Sequence, residues 1–201
     1  MNLALLVLLR ALVSLLGYSL FDNCHINIST INVCLICLGC SGGSSGNTDS
    51  SKFDLIFLLD GSSTVGRMGF EKVKDFTADI ASSFNIGPAA VRVGVIAYSR
   101  RRTVPRFKFQ LNSYSDLKSL RRGITGRYPI RFPYGTTWTD YALRYVRKTA
   151  LLKANGAREG VPKFVVVVTD GESNDPESTQ VEAQLLKDQG VTIFSVGVGI
   201  F

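Results

Sequence analysis

At 201 residues and 45% hydrophobic content, the chain is long enough for one domain with a full core and a modest appendage. Its formal net charge of +7 is uneven: residues 52–201 hold 22 bases against 14 acids, and eleven of the bases fall between Arg92 and Arg131, with Asp116 the only acid. That excess suits a solvated basic face, or attraction to sulfated glycans and anionic proteins, and it disfavours nucleic acid because no recognition module or aromatic stacking platform accompanies it.

Met1–Leu20 is a leucine-rich run resembling a secretory signal peptide over residues 1–19, with small Gly17 and Ser19 ahead of a cut before Leu20. A spanning helix is disfavoured, since Arg10 would sit near mid-bilayer. Residues 20–51 carry all four cysteines (Cys24, Cys34, Cys37, Cys40) and the N-glycosylation sequon at Asn27. The residues between Cys34, Cys37 and Cys40 are apolar and His25 is the single histidine, which argues against zinc or an iron–sulfur cluster. In an exported chain disulfides are the ordinary fate of such cysteines, and their pairing is not readable from sequence. Cys40–Ser51 is a Gly/Ser linker that marks the start of a domain over residues 52–201.

From Lys52 onward strands and helices alternate. Leu55–Leu59, Val91–Tyr98, Phe164–Val168 and Val191–Val198 are near-continuous apolar runs, as strands buried on both faces should be. Thr103–Leu111 alternates basic and apolar residues and reads as an exposed edge strand, antiparallel to its neighbour. Phe70, Val73, Phe76, Ile80 and Phe84 form one helical stripe closed by Gly87; Leu143, Val146 and Ala150 form another. Asp175-Pro176 is an N-cap and first-turn pair for a helix carrying Val181 and Leu185 and ending at Gly190. The alternation predicts an α/β fold: a Rossmann-like, doubly wound, mostly parallel sheet with one antiparallel edge strand and helices on both faces.

In such folds ligands bind beyond the carboxyl ends of the strands. Asp60-Gly61-Ser62-Ser63-Thr64 follows one apolar run directly, and Thr169-Asp170-Gly171-Glu172 follows another. Gly135-Thr136-Thr137-Trp138-Thr139-Asp140 supplies a third hydroxyl-rich turn. Carboxylates and hydroxyls with no soft ligand nearby suit Mg²⁺, Mn²⁺ or Ca²⁺.

With these residues in place, Phe53–Ile200, about three quarters of the chain, resembles a von Willebrand factor type A domain, also called integrin I-like. The resemblance rests on Asp60, Ser62 and Thr64 in a D-x-S-x-S/T loop, on Thr137, and on Asp170. It implies a metal-ion-dependent adhesion site. Ser62, Thr64 and Thr137 would supply hydroxyl oxygens, while Asp60 and Asp170 would bind directly or through water. Thr64 stands where serine is more usual and keeps the hydroxyl; Asp140 stands where a small residue is common and would add negative charge. The family continues with another strand and a C-terminal helix beyond the point where this chain ends, so the resemblance implies a domain lacking both.

What the resemblance implies functionally is a secreted, extracellular-matrix adhesion module. Its cation, Mg²⁺ (or Mn²⁺ or Ca²⁺), would coordinate a carboxylate of a protein ligand such as collagen or another matrix protein. The alternative is a metal-independent structural or glycan-binding module using the basic segment 92–131. An enzyme is not expected: the domain has no histidine, cysteine or G-x-x-x-x-G-K loop. A strand ending in Asp also opens haloacid-dehalogenase-like phosphatases, but those need a second aspartate two residues on, where this chain has Ser62.

Overall fold

The computed structural model describes residues 25–28, 31–38, 52–100, 106–126, 130–171 and 173–198. The expected signal peptide at residues 1–19, the Gly/Ser segment 40–51, Cys24, Cys40, Arg101 and Arg102 lie outside these residues. In chain order the elements are β1 (His25–Ile28), β2 (Ile31–Leu38), β3 (Asp54–Asp60), α1 (Gly66–Ser82), β4 (Arg92–Tyr98), β5 (Arg106–Phe109), α2 (Leu117–Thr125), α3 (Thr139–Tyr145, running into a π-helical turn Val146–Ala150), β6 (Lys163–Thr169), α4 (Pro176–Asp188) and β7 (Val191–Gly197).

One sheet runs in the order β1-β2-β7-β6-β3-β4-β5. β3 sits at its centre, parallel to both β4 and β6, and β6 is parallel to β7. β5 is the antiparallel edge expected from the alternating pattern, with Ile96 opposite Phe107. Residues 20–51, for which the sequence predicts no strand, add two more. There β2 adds antiparallel to β7, placing Leu35 opposite Val196, and β1 hairpins back on it with Asn27 opposite Asn32. The run INVCLICL is apolar, with Ile31, Val33 and Ile36 β-branched, which suits a strand.

Period-2 alternation sends Leu55, Phe57 and Leu59 of β3 to one face and Ile56 and Leu58 to the other, all fully buried. The first face packs against Phe70 and Val73 of α1 and Leu120 and Ile124 of α2. The second packs against Ala142 and Leu143 of α3, Val146, and Leu186 of α4. Each such side chain contributes about 1.5–3 kcal/mol on burial, so two full layers hold this region together with no cysteine in it.

Helix α2 was not predicted. Its Leu117, Leu120 and Ile124 are spaced for one buried stripe, but that stripe is short and lies among the bases that suit a solvated basic face. The signal was Asp116, which caps the helix by accepting from the Ser119 amide at 2.9 Å. The cap at Asp175 was legible and forms, accepting from the Ser178 amide at 2.9 Å with Pro176 in the first turn.

Among the described residues, the bases of segment 92–131 are not gathered on one face. Arg92 lies at the start of β4 and donates to the Pro88 and Gly156 carbonyls; Arg121 pairs with Asp79; Arg100 follows the far end of β4.

Candidate metal centre

The two carboxylates arrive on neighbouring parallel strands. Asp60 is the last residue of β3 and Asp170 follows the last residue of β6, with Leu59 and Val168 in register one step before. Beyond Asp60 the chain turns sharply. The Ser62 amide donates to Asp60 Oδ1 at 2.8 Å, and the Gly61 amide donates to the Tyr98 carbonyl at 2.9 Å. Only glycine fits at position 61: a Cβ there would stand 2.1 Å from Pro133 Cγ, so the segment before Thr137 crosses directly over this loop.

That turn brings the hydroxyls to the carboxylates. Ser62 Oγ lies 2.9 Å from Thr64 Oγ1 and donates to Asp170 Oδ1 at 3.4 Å. Asp60, Ser62, Thr64 and Asp170 are therefore one cluster. Thr137 reaches the same end of the sheet by its main chain. Its amide donates to Asn174 Oδ1 at 2.6 Å, and its carbonyl accepts from the Asn174 amide at 2.7 Å and from Ser173 Oγ at 3.3 Å. The Ser63 amide donates to the Gly135 carbonyl at 2.7 Å, tying the third loop to the first. The Thr137 hydroxyl itself is not hydrogen-bonded to the other four residues. Asn27, the sequon, is far off in sheet order on β1.

Sequence reasoning missed the supports beneath the cluster. Thr169 Oγ1 donates to Asp60 Oδ2 at 2.7 Å and accepts from the Gly171 amide at 3.3 Å. The Tyr98 hydroxyl, fully buried, lies 3.2 Å from Thr139 Oγ1. Thr169 had a signal in its place immediately before Asp170. Ser173 and Asn174 had only their polarity.

Burial is the dominant electrostatic fact. Asp60 is 0% exposed, and desolvation pushes its carboxyl up to about 6 against the hydrogen bonds from Thr169 and Ser62, with the charge of Asp170 adding to the rise. Burial also raises the Tyr98 phenol, and the charge of Asp60 raises it further. Asp140, expected to add charge to the site, is buried at the start of α3. Burial raises its carboxyl, and its charged neighbours are Asp175 and Arg144, not Asp60.

A hard divalent cation fits this donor set. Among the described residues no three His, Cys, Asp or Glu side chains gather, so neither a soft-ligand site nor a carboxylate cage is present. What converges is two carboxylates with hydroxyls between them, one carboxylate desolvated enough to gain from a nearby positive charge.

The family model for the von Willebrand factor type A domain matches residues 54–200. The chain belongs to that family. Among relatives of this von Willebrand factor A domain, the collagen alpha-1(XX) chain of Mus musculus is 38% identical over 151 residues, covering 75% of this chain and 11% of the collagen. The von Willebrand factor A domain-containing protein 1 of Bos taurus is 38% identical over 146 residues, 73% of this chain and 33% of that protein. The chain thus spans a third or less of these relatives' length. Among solved structures, the proximal thread matrix protein 1 of the mussel byssus, with a zinc-occupied MIDAS motif, aligns with a TM-score of 0.63 and 29% identity over 72% of this chain and 37% of that one. The manganese-loaded TRAP protein of Plasmodium vivax aligns with a TM-score of 0.60 and 21% identity over 84% of this chain and 61% of that one, a likeness of fold alone. The A-domain resemblance and the mostly parallel, helix-flanked fold expected from sequence both hold. Among the described residues no helix is long and apolar enough to cross a membrane.

Proposed function

We propose that this A domain is an extracellular, non-enzymatic adhesion module that uses a divalent cation, Mg²⁺ or its equivalents Mn²⁺ and Ca²⁺, to hold a carboxylate of a matrix-protein partner. The observation that carries this reading is the cluster of Asp60, Ser62, Thr64 and Asp170 at the carboxyl end of the sheet. These four residues and Thr137 would hold the ion. When bound, the ion supplies a positive centre able to accept an oxygen of the partner's carboxylate.

The chain's own residues set how positive that centre stays. Ser62 and Thr64 are neutral donors, so they place oxygen without cancelling charge. The Asp60 carboxylate is already committed to the Ser62 amide and the Thr169 hydroxyl, which fixes its orientation and spreads its charge. Relatives that are collagen chains, and a byssus matrix protein with zinc at this motif, support matrix proteins as the partner class. Export fits the leucine-rich start, the Asn27 sequon and the clustered cysteines. In this reading residues 1–19 are removed, Asn27 carries a glycan, and residues 20–51 lead into the domain at 52–201.

Calorimetric titration of the purified chain with Mg²⁺ and Mn²⁺, in parallel with binding to immobilised collagen with and without EDTA, tests the reading. Saturable metal binding and EDTA-sensitive adhesion are expected. Adhesion unchanged by EDTA would overturn it in favour of a metal-independent module.

A further inference from the structure

The surface around the cluster is strongly asymmetric. Three exposed arginines adjoin its loops: Arg100 just past β4, Arg67 three residues after Thr64 in the first turn of α1, and Arg131 two residues before the Pro133 that lies over Gly61. None has a carboxylate partner among the described residues. On the β6 side the chain runs Asp170, Asp175, Glu177. An anion approaching the site thus meets attraction from one side and repulsion from the other.

The basic side is also built for contact. Arg100 stacks its guanidinium over the Tyr134 ring at 5.6 Å, and the Ser99 hydroxyl donates to the Tyr134 carbonyl at 3.4 Å. Tyr134 is 56% exposed and sits at φ 53°, a left-handed conformation that a bulky residue rarely adopts. Its backbone is held there by close packing: a Cβ on Gly135 would meet Arg100 Cγ at 2.3 Å. Met68, 81% exposed, lies one residue beyond Arg67. A strained tyrosine held outward under a stacked arginine is a rigid surface with one apolar face and one cationic face.

Resting on the metal-adhesion reading above, we propose that Arg100 and Tyr134, flanked by Arg67 and Arg131, form a docking shelf for an acidic peptide. Its acids would extend from the metal-bound carboxylate toward the β4 side only. A peptide is favoured over a sulfated glycan on two grounds. A uniformly charged glycan crossing the site would also run over Asp175 and Glu177, and the exposed Tyr134 and Met68 surfaces match peptide side chains.

The test titrates the full chain in Mg²⁺ with three synthetic peptides: a single Asp in a Gly/Ser context, the same with four Glu before it, and the same with four Glu after it. One tetraglutamate peptide should bind about fivefold tighter than the single-Asp peptide and the other should show no gain. Arg100→Gln combined with Tyr134→Asn, which tolerates the left-handed backbone, should erase that gain and leave binding of the single-Asp peptide unchanged. Arg100→Lys should keep most of it. Equal gain from both acidic peptides, or a gain that survives the double variant, overturns the shelf alone. Binding of the single-Asp peptide that ignores EDTA overturns the metal reading beneath it. A heparin dodecasaccharide that binds without metal and is lost in the double variant assigns the shelf to glycans and overturns the peptide proposal.

Discussion

Thr169 Oγ1 donates a 2.7 Å hydrogen bond to Asp60 Oδ2, joining the last residue of one central strand to the carboxylate that ends its neighbour. The pairing spans 109 positions of sequence and exists only because β3 and β6 are adjacent. A hydrogen bond to a charged group contributes about 1.5–3 kcal/mol. Thr169→Val should therefore weaken Mg²⁺ or Mn²⁺ binding by about tenfold or more, read by calorimetry, with Thr169→Ser close to the parent. Equal affinity in the valine variant would leave Thr169 as a strand residue only.

Removing either carboxylate should act more severely. Asp60→Ala or Asp170→Ala is expected to abolish metal binding while the far-ultraviolet circular dichroism of the chain stays unchanged. Thr64→Ser retains the hydroxyl that meets Ser62 Oγ and should be nearly neutral. Unaltered metal affinity in both alanine variants would remove Asp60 and Asp170 from the site.

The buried carboxyl at Asp60 makes the metal-free and metal-bound proteins respond oppositely to pH. Burial raises this group from 3.8 to about 6, so the folded state prefers the proton more than the unfolded chain does. Its contribution to stability is fully present below pH 4 and is lost as pH rises through 6. At about 1.4 kcal/mol per pKa unit that loss is on the order of 2–3 kcal/mol without metal. Metal competes with the same proton, so affinity should hold above pH 6.5 and fall about tenfold per unit well below 6. Melting temperatures in EDTA at pH 5 and pH 7.5, compared with Asp60→Asn, check the first statement. Titrations at the same two pH values check the second. An identical pH profile in the asparagine variant would show that other groups govern the change.

How much of this was legible depended on whether the signal was local. The apolar runs ending at Asp60 and Asp170 announce a buried strand with a carboxylate at its exit, and both stand where that pattern put them. The D-G-S turn was readable as ligand spacing. The reason for its glycine was not, because Pro133 is some seventy positions away and only the fold brings it over the loop. Thr137 belongs to the right end of the sheet, but Asn174 and Ser173 place it, and nothing in a threonine-rich turn names its tether. Helix α2 was hidden by its own charge: the bases around Leu117, Leu120 and Ile124 suppressed a stripe only three residues long. β2 was hidden for the opposite reason, since a short apolar run without alternation carries no period that marks it as a strand.

Arg158 and Asp54 close the other end of the sheet. The Arg158 amide donates to Asp54 Oδ2 at 2.8 Å, its Nε donates to Oδ1 at 2.8 Å, and its Nη2 reaches the Phe53 carbonyl at 2.8 Å. Asp54 is 1% exposed, so these donors stand where water would otherwise meet its carboxylate. Breaking a buried pair leaves an uncompensated charge and costs about 3–5 kcal/mol. The Arg158 amide persists in a side-chain variant, which places Arg158→Ala at the lower end of that range. Urea unfolding should show a lower midpoint with an unchanged slope. Metal affinity should not move, because the pair lies at the start of β3 and the cluster at its end. A metal affinity that falls together with stability would mean the two ends of β3 are coupled, and the carboxyl-end cluster would then depend on the whole strand and not on its loops alone.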